Sequence, residues 1–168
     1  MQKFLTATAF IAAFVAFSSA PVLAQNYIGL SAGFTSYEDT GADIESQGLT
    51  FFAGGQFDPL LAVEFSYTSL ADVETNGRDS QASVVSLSGV LRSPGEGFEP
   101  FLRLGIARGD GKVMGGGDSY DEEKTGAIYG FGADFTLNYN ASLRFEYVET
   151  DLDGAETDRL SFGTIYRF

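Results

Sequence analysis

Apolar residues alternate with small or polar residues, with a period of two, along most of this 168-residue sequence. The final nine residues, LSFGTIYRF, keep the pattern to the last position. One set comprises Leu160, Phe162, Thr164, Tyr166 and Phe168, and the other comprises Ser161, Gly163, Ile165 and Arg167. Since successive side chains of a β-strand point to opposite faces, the alternation predicts a strand that runs to the final residue.

Seven further runs with the same alternation precede the last one. They cover residues 27–34, 49–57, 61–67, 85–92, 102–107, 129–135 and 143–147. After residue 24 no apolar run is long enough for a membrane helix, and no stretch shows a convincing helical stripe. With their flanking residues, the predicted strands are near the ~9–11 residues with which a tilted strand crosses a bilayer. The sequence therefore predicts an all-β fold with eight strands.

The connections between these runs alternate in length. Residues 58–60, 93–97 and 138–140 form short segments rich in turn-forming Asp, Asn, Pro and Gly. Longer polar connections cover approximately residues 37–47, 69–82, 108–124 and 149–159. This asymmetry is typical of outer-membrane barrels. We therefore predict an eight-stranded antiparallel up-and-down transmembrane β-barrel, with short periplasmic turns and four long extracellular loops.

Alternation alone leaves open which face points inward. A soluble barrel would bury the Phe and Leu face, but the other face consists mostly of Gly, Ser, Ala and Thr with a few charges. These small residues suit the narrow interior of a small barrel, so the bulky face is expected to meet lipid. Aromatic residues near the strand ends are expected to form interfacial girdles. They are Tyr27, Phe57, Phe98, Tyr139 and Tyr166 near the short turns, and Tyr37, Tyr67 and Tyr147 near the long connections.

The N-terminal 24 residues, MQKFLTATAFIAAFVAFSSAPVLA, differ from the rest of the chain. They combine a positive charge at Lys3, an apolar stretch from Ala9 to Phe17 and a small residue at Ala24. This is the pattern of a secretory signal peptide, whereas a membrane anchor would need about 20 apolar residues. We therefore expect a signal peptide over residues 1–24 and one barrel domain over residues 25–168. The chain has no Cys, so the exported domain is expected to hold together without disulfides.

Four stretches of the chain resemble the small outer-membrane barrels of the OmpA/OmpX type. They are NYIGLSAGF, FFAGGQFDPLLAVEFSY, FEPFLRLGIARGD and the terminal Phe168. This family is often labelled outer membrane protein β-barrel domain or opacity-type porin, and the resemblance covers essentially residues 25–168. The resemblance implies that the last strand is read by the barrel-assembly machinery. The positions that match this assembly signal are Leu160, Phe162, Tyr166 and Phe168, with Thr164 a weaker match.

Charged residues on the predicted inner face lie a few residues from the short turns, on four strands. They are Glu64, Arg103, Asp134, Arg144 and Glu146. An eight-stranded barrel has an interior just wide enough for side chains to fill, and an unpaired buried charge is costly. We expect these residues to form an ion-pair network that plugs the lumen, with a gated ion path as the alternative. The resembling family also carries such networks. Arg92 and Arg167 lie too close to the periplasmic rim to be assigned.

The long connections carry most of the 23 acidic residues. Clusters such as DSYDEE and DLDGAETD are candidate sites for divalent cations, because Ca²⁺ takes several oxygen ligands. Their spacing does not match an EF-hand, and we favour a role in keeping exposed loops soluble and extended. The net charge of −13 argues against nucleic-acid partners. No cofactor is expected.

The sequence argues against an enzyme. Barrels of this size that act on lipid A resemble this architecture but depend on a catalytic His, and this chain has none. Water-filled pores of the porin kind need about 16 strands. We therefore expect an outer-membrane protein of a Gram-negative bacterium with a structural or surface-interaction (adhesion-type) role. Its expected partners are outer-membrane lipid, lipopolysaccharide and the barrel-assembly machinery. A narrow channel for small solutes and a soluble periplasmic ligand-binding β-barrel remain the alternatives.

Overall fold

A computed structural model describes residues 25–39, 42–75, 78–115, 118–152 and 155–168. The predicted signal peptide lies outside these residues. The described residues form eight strands: β1 (Gln25–Asp39), β2 (Ala42–Gln56), β3 (Leu61–Thr75), β4 (Arg78–Arg92), β5 (Phe98–Gly115), β6 (Asp118–Thr136), β7 (Ala141–Leu152) and β8 (Ala155–Arg167). Within the described part of the chain, no helix has the length and apolar character needed to cross a membrane.

Each strand pairs with its neighbours in the sequence, and the last strand pairs with the first. The β1–β8 pairing is antiparallel and runs from Tyr27 opposite Arg167 to Glu38 opposite Glu156. Beyond β8, the backbone N–H of Phe168 donates to the Asn26 carbonyl at 2.9 Å. The result is a closed barrel in the order β1 to β8, so the predicted fold class is confirmed.

Three short turns join strands at one end of the barrel, here called the short-turn end. Between β2 and β3, the Asp58 side chain accepts hydrogen bonds from the backbone N–H groups of Leu60 and Leu61 at 2.7 and 2.9 Å. Between β6 and β7, the Asn138 side chain accepts hydrogen bonds from the backbone N–H groups of Asn140 and Ala141 at 3.0 and 2.9 Å. Between β4 and β5, Gly97 adopts a positive φ of 84°, which favours glycine. These Asx and glycine turns are those that the local sequence predicts.

At the opposite end, here called the long-hairpin end, the structure differs from the predicted loops. The strands continue through most of the polar connections, so that β5 and β6 reach 18 and 19 residues. Their pairing persists to Gly115 opposite Asp118. The sequence hides this extension because a strand with water on both faces can be polar throughout and no longer alternates. The four long connections are therefore largely paired hairpins.

The inward and outward faces have the orientation that the sequence favours. Outward-facing Leu104 is 69% exposed, whereas inward-facing Glu64 is completely buried. The outward surface is a continuous band of large apolar side chains. Its exposed members include Leu30, Phe34, Leu49, Leu87, Leu91, Leu102, Ile106, Phe131, Phe145, Leu160 and Phe162. An apolar exterior of this kind suits a lipid environment, which removes the reason to bury these side chains inside the barrel.

The predicted aromatic girdle is wrong at Tyr27, which lies inside the barrel. Tyr27 lies two and four residues before inward-facing Gly29 and Ser31, so its side chain points to the same face. It is 2% exposed. Its ring fills the space beside Gly54, where a Cβ would lie 2.2 Å from the ring. The position of Tyr27 near a strand end suggested a girdle. However, the alternation along the strand decides whether a side chain points into the lumen or outward.

The other predicted girdle positions divide into three groups. Phe57, Phe98, Tyr139 and Tyr166 are exposed near the short-turn end. Tyr67 and Tyr147 are partly buried. The Tyr37 side chain lies outside the described residues.

Candidate functional site

A network of charged side chains occupies the lumen toward the short-turn end. It contains four carboxylates and four guanidinium groups, contributed by six of the eight strands. Its members are Glu64, Arg92, Glu99, Arg103, Asp134, Arg144, Glu146 and Arg167. All except Glu99 are buried. We call this set the lumen network. It brings together all five residues that the sequence singles out and adds three more.

Arg144 is the centre of the lumen network. Its Nη1 donates to Glu64 Oε2 at 2.7 Å, across the barrel. Its Nε and Nη2 donate to the two oxygens of Asp134 at 2.8 and 3.0 Å. The guanidinium also lies 4.7 Å from the ring centroid of Phe52 and 4.6 Å from that of Phe101. Bidentate pairing and aromatic packing hold this cation in one geometry.

Glu64 receives hydrogen bonds from three different strands. Arg103 and Arg144 both donate to its carboxylate, and the Tyr27 hydroxyl donates to Oε2 at 2.9 Å. Arg103 also donates from Nε to Glu146 Oε1 at 2.6 Å. Because Glu64 is completely buried, these donors replace the water that the carboxylate loses. They link β1, β3, β5 and β7 through the interior.

Arg92 and Arg167 also belong to the lumen network, although the sequence left them unassigned. Arg92 Nη1 lies 2.5 Å from Asp134 Oδ2, and Arg167 Nη2 lies 3.3 Å from Glu99 Oε2. The guanidinium of Arg92 lies 5.0 Å from the Tyr27 ring centroid. Both arginines are in phase with inward residues, which is a usable sequence signal. Their side chains are long, so the guanidinium groups lie in the lumen although the backbone is near the rim of the barrel.

The geometry of the lumen network suits a structural role. Each Arg contacts at least one carboxylate, and the positive and negative groups are equal in number. Buried charges in such an arrangement are strongly held, because removing one partner leaves another uncompensated. The ring faces of Tyr27, Phe52 and Phe101 pack against the guanidinium groups at the same level. The rings and the charged groups therefore lie at one level of the lumen.

The acidic clusters predicted as cation sites lie at the long-hairpin end. Side chains of Asp118, Asp121, Glu122 and Asp153 are outside the described residues. Of the described carboxylates there, Glu123 pairs with Arg108 on the outward face. Among described side chains, no group of three or more His, Cys, Asp or Glu residues has the arrangement to hold a metal ion.

A closed eight-stranded barrel with an apolar exterior and a charge-paired interior defines the class of small integral outer-membrane barrels. The model of the family described as "Outer membrane protein beta-barrel domain" matches residues 10–168. The chain belongs to this family, and the predicted outer-membrane location is confirmed.

Comparison with individual proteins agrees with this assignment. The chain is 29% identical over 194 residues to outer membrane protein A of Yersinia pseudotuberculosis, covering 97% of this chain and 55% of that protein. It therefore spans about half the length of this curated relative.

Two solved structures show the same fold at low sequence identity. Neisserial surface protein A superposes with a TM-score of 0.76 at 15% identity, covering 85% of this chain and 97% of that one. The attachment invasion locus protein Ail of Yersinia pestis, crystallised with the heparin analogue sucrose octasulfate, gives a TM-score of 0.70 at 20% identity. That match covers 86% of this chain and 99% of the other.

Proposed function

We propose that this protein is a structural or surface-interaction barrel of the outer membrane whose lumen is closed by the lumen network. The observation that carries the proposal is the salt bridge from Arg144 on β7 to Glu64 on β3. These strands lie on opposite sides of the eight-stranded ring. The pair therefore bridges the interior at its widest span, and the neighbouring arginines and aromatic rings fill the space around it.

A plug is favoured over a narrow channel for small solutes by the energetics of the interior. A path for solute would have to separate Arg144 from Glu64 or Asp134. Breaking one buried ion pair by removing a partner costs about 3–5 kcal/mol. A soluble periplasmic barrel is disfavoured by the exposed apolar band.

Catalysis is not part of the proposed function. The chain has no His, and the buried carboxylates of the lumen network are engaged by arginines. A hydroxyl in the lumen would therefore lack a base to activate it.

The surface-interaction role rests on the long hairpins. The apolar band includes the outward-facing Ile106 on β5, and β5 and β6 continue well past this residue. Beyond it they carry the exposed ion pair of Arg108 and Glu123. Polar hairpins of this kind project a binding surface away from the membrane. Ail, which shares the fold, was crystallised with a heparin analogue. We include lipopolysaccharide among the proposed contacts, and divalent cations as candidates at the acidic hairpins.

Export and assembly complete the proposal. Residues 1–24 act as the signal peptide, and the last strand carries the assembly signal. Leu160, Phe162, Tyr166 and Phe168 all face outward, and Tyr166 and Phe168 stack with ring centroids 6.4 Å apart. An exposed aromatic edge on the strand that closes the barrel is accessible to the assembly machinery before β1 pairs with it.

Single-cysteine labelling tests the proposed orientation, because the chain has no Cys of its own. Thr125→Cys lies on the long-hairpin side and Pro59→Cys in a short turn, and both positions are exposed. In intact cells a membrane-impermeant maleimide is expected to label only Thr125→Cys. Pro59→Cys should react after the outer membrane is permeabilised. The reverse pattern, or labelling of both in the soluble periplasmic fraction, would contradict the proposal.

Hairpin replacement then separates the two roles. A variant with residues 108–124 replaced by a short turn should still fold as a heat-modifiable barrel. Loss of adhesion by cells that express it, with unchanged outer-membrane integrity, would support surface interaction. Loss of membrane integrity with unchanged adhesion would support the structural role.

A further inference from the structure

A second compartment lies in the lumen beyond the lumen network, toward the long-hairpin end. It is a cavity of about 290 Å³. One side of it is apolar and comes from β3, β4, β6 and β7. The apolar lining residues are Leu70, Ala82, Val84, Ile128 and Leu152. Ile128 and Leu152 are buried in a cluster with Ala107 and Val148, with Val84 packed against it. We call this compartment the upper cavity.

The other side of the upper cavity is polar and lies near the seam between β1 and β8. Thr35 and Arg159 line it and are directly opposite each other in the β1–β8 ladder. Arg159 Nη1 donates to Thr50 Oγ1 at 2.8 Å and also to Thr68 Oγ1. Lys124 adds a second cation to the lining. The cavity is thus amphipathic, with a cationic group beside hydroxyls on one side.

Thr35 gives a separate indication that the upper cavity holds a ligand. The residue is only 3% exposed, yet its Oγ1 has no hydrogen-bond partner among the described residues. A buried hydroxyl without a partner is unfavourable, because it has lost its hydrogen bonds to water. A bound acceptor beside Arg159 would satisfy it. Other lumen hydroxyls are paired, Ser66 with Ser86 at 2.7 Å and Thr50 with Thr68 at 2.9 Å, whereas Ser88 Oγ, which does not line the upper cavity, also has no partner among the described residues.

We propose that the upper cavity binds a single-chain anionic amphiphile, of which a medium-chain carboxylate is the simplest case. Its head group accepts hydrogen bonds from the Thr35 hydroxyl and pairs with Arg159. Its hydrocarbon chain packs against Val84, Ile128 and Leu152. This inference goes beyond the proposed function, because it assigns a ligand site to a part of the lumen that the plug leaves open.

Three properties of the site limit the ligand. The volume is at the lower end of ligand sites, which are roughly 300–1,000 Å³, so a second acyl chain does not fit. The apolar wall disfavours a purely ionic ligand, which would gain nothing from Ile128 and Leu152. The lumen network closes the short-turn side of the lumen, so the upper cavity is a site of binding rather than of passage.

Methyl NMR of the folded barrel in phospholipid nanodiscs tests the proposal with octanoate as the probe. Methyl resonances of Val84, Ile128 and Leu152 report on the cavity. Those of the outward-facing Leu102 and Leu104 report on octanoate that merely enters the lipid. We expect saturable shifts at the cavity methyls and only weak, linear shifts at the outward ones. Octanol, which lacks the charge, should bind more weakly.

Two variants identify the site. Thr35→Val keeps the side-chain shape and removes the hydroxyl, and it should weaken octanoate binding about tenfold. Ala82→Phe should fill the cavity and abolish the saturable shifts, with heat-modifiability confirming that the variant is folded. Linear shifts of equal size at cavity and outward methyls would overturn the proposal. Saturable binding that both variants leave unchanged would overturn the assignment to this cavity.

Discussion

Arg144 and Glu64 form a salt bridge of 2.7 Å between strands on opposite sides of the barrel, although 80 residues separate them in the sequence. Hydrogen bonds between neighbouring strands hold the wall together, but they do not connect opposite walls. This pair, with the bonds from Arg144 to Asp134 and from Arg103 to Glu64, ties the walls together through the interior. The lumen network therefore connects strands that are not neighbours in the barrel wall.

Replacement of Arg144 by Met should destabilise the barrel more than any exposed charge substitution. The change leaves Glu64 and Asp134 buried with one partner fewer, for an expected loss of about 3–5 kcal/mol. Urea unfolding of the barrel refolded in lipid measures this loss in the free energy of unfolding. Arg108→Met, which breaks the exposed pair with Glu123, is the matched control and should change little. Equal effects for both would show that the buried network adds no stability.

Glu64 and Arg144 should be energetically coupled. In a double-mutant cycle of Glu64→Gln and Arg144→Met, the double variant should be more stable than the sum of the single losses predicts. The second substitution removes a charge that the first has already left unpaired. Unfolding free energies of the four proteins give the coupling. Simple additivity would mean that the 2.7 Å contact has no energetic consequence.

Tyr27→Phe tests the inward position of this tyrosine. The ring still packs beside Gly54, but the hydrogen bond to Glu64 is lost. A hydrogen bond to a charged group contributes about 1.5–3 kcal/mol, and unfolding should become easier by about that amount. Tyr166→Phe, on the outward face, is the control. A larger effect at Tyr166 than at Tyr27 would place Tyr27 in the aromatic girdle after all.

Gly54→Ala should destabilise the barrel because the new methyl group would lie 2.2 Å from the Tyr27 ring. Overpacking of this kind costs about 1–3 kcal/mol. At Gly89 the nearest atom to an added Cβ is 3.8 Å away, so Gly89→Ala is a matched control with little expected effect. Thermal unfolding in detergent compares the two. Tolerance of both substitutions would mean that Tyr27 does not occupy the space beside Gly54.

Deletion of Phe168 should slow assembly more than it lowers stability. Its side chain is 57% exposed, so little packing is lost, although its backbone N–H bonds Asn26. Pulse-chase heat-modifiability in cells measures assembly, and refolding of purified chain into lipid measures the intrinsic effect. Phe168→Tyr keeps an aromatic ring and should assemble normally. An equal defect in both assays would make Phe168 a stability element instead of an assembly signal.

Period-two alternation predicted the strands and their number, the alternating connection lengths predicted the barrel, and the small residues of one face predicted which face points inward. The same phase correctly marks Glu64 and Arg144 as inward residues, because side-chain direction in a strand depends only on local counting. The hairpin extensions could not be predicted, since strands in water on both faces carry no alternation. The alternation places Arg92 and Arg167 on the inward face, but their pairing with Asp134 and Glu99 could not be predicted, because it depends on how far the side chains reach.

Contacts across the lumen depend on shear and strand stagger, which local sequence does not contain. The meeting of Arg144 with Glu64 is one such contact. Another is the juxtaposition of Thr35 with the apolar wall at Ile128 and Leu152, which creates the upper cavity. Tyr27 shows how position and phase can disagree: it lies near a strand end, as a girdle residue would, yet its phase and the space beside Gly54 place it in the lumen.

Planar-bilayer recording of the folded barrel tests closure of the lumen most directly. Wild-type protein, with insertion verified by heat-modifiability, should show no steady conductance in molar KCl. Arg144→Ala should produce measurable openings, because it removes the side chain that bridges β7 to β3. A steady, ohmic conductance in wild type that Arg144→Ala leaves unchanged would show that ions pass the lumen network, and would contradict the plug.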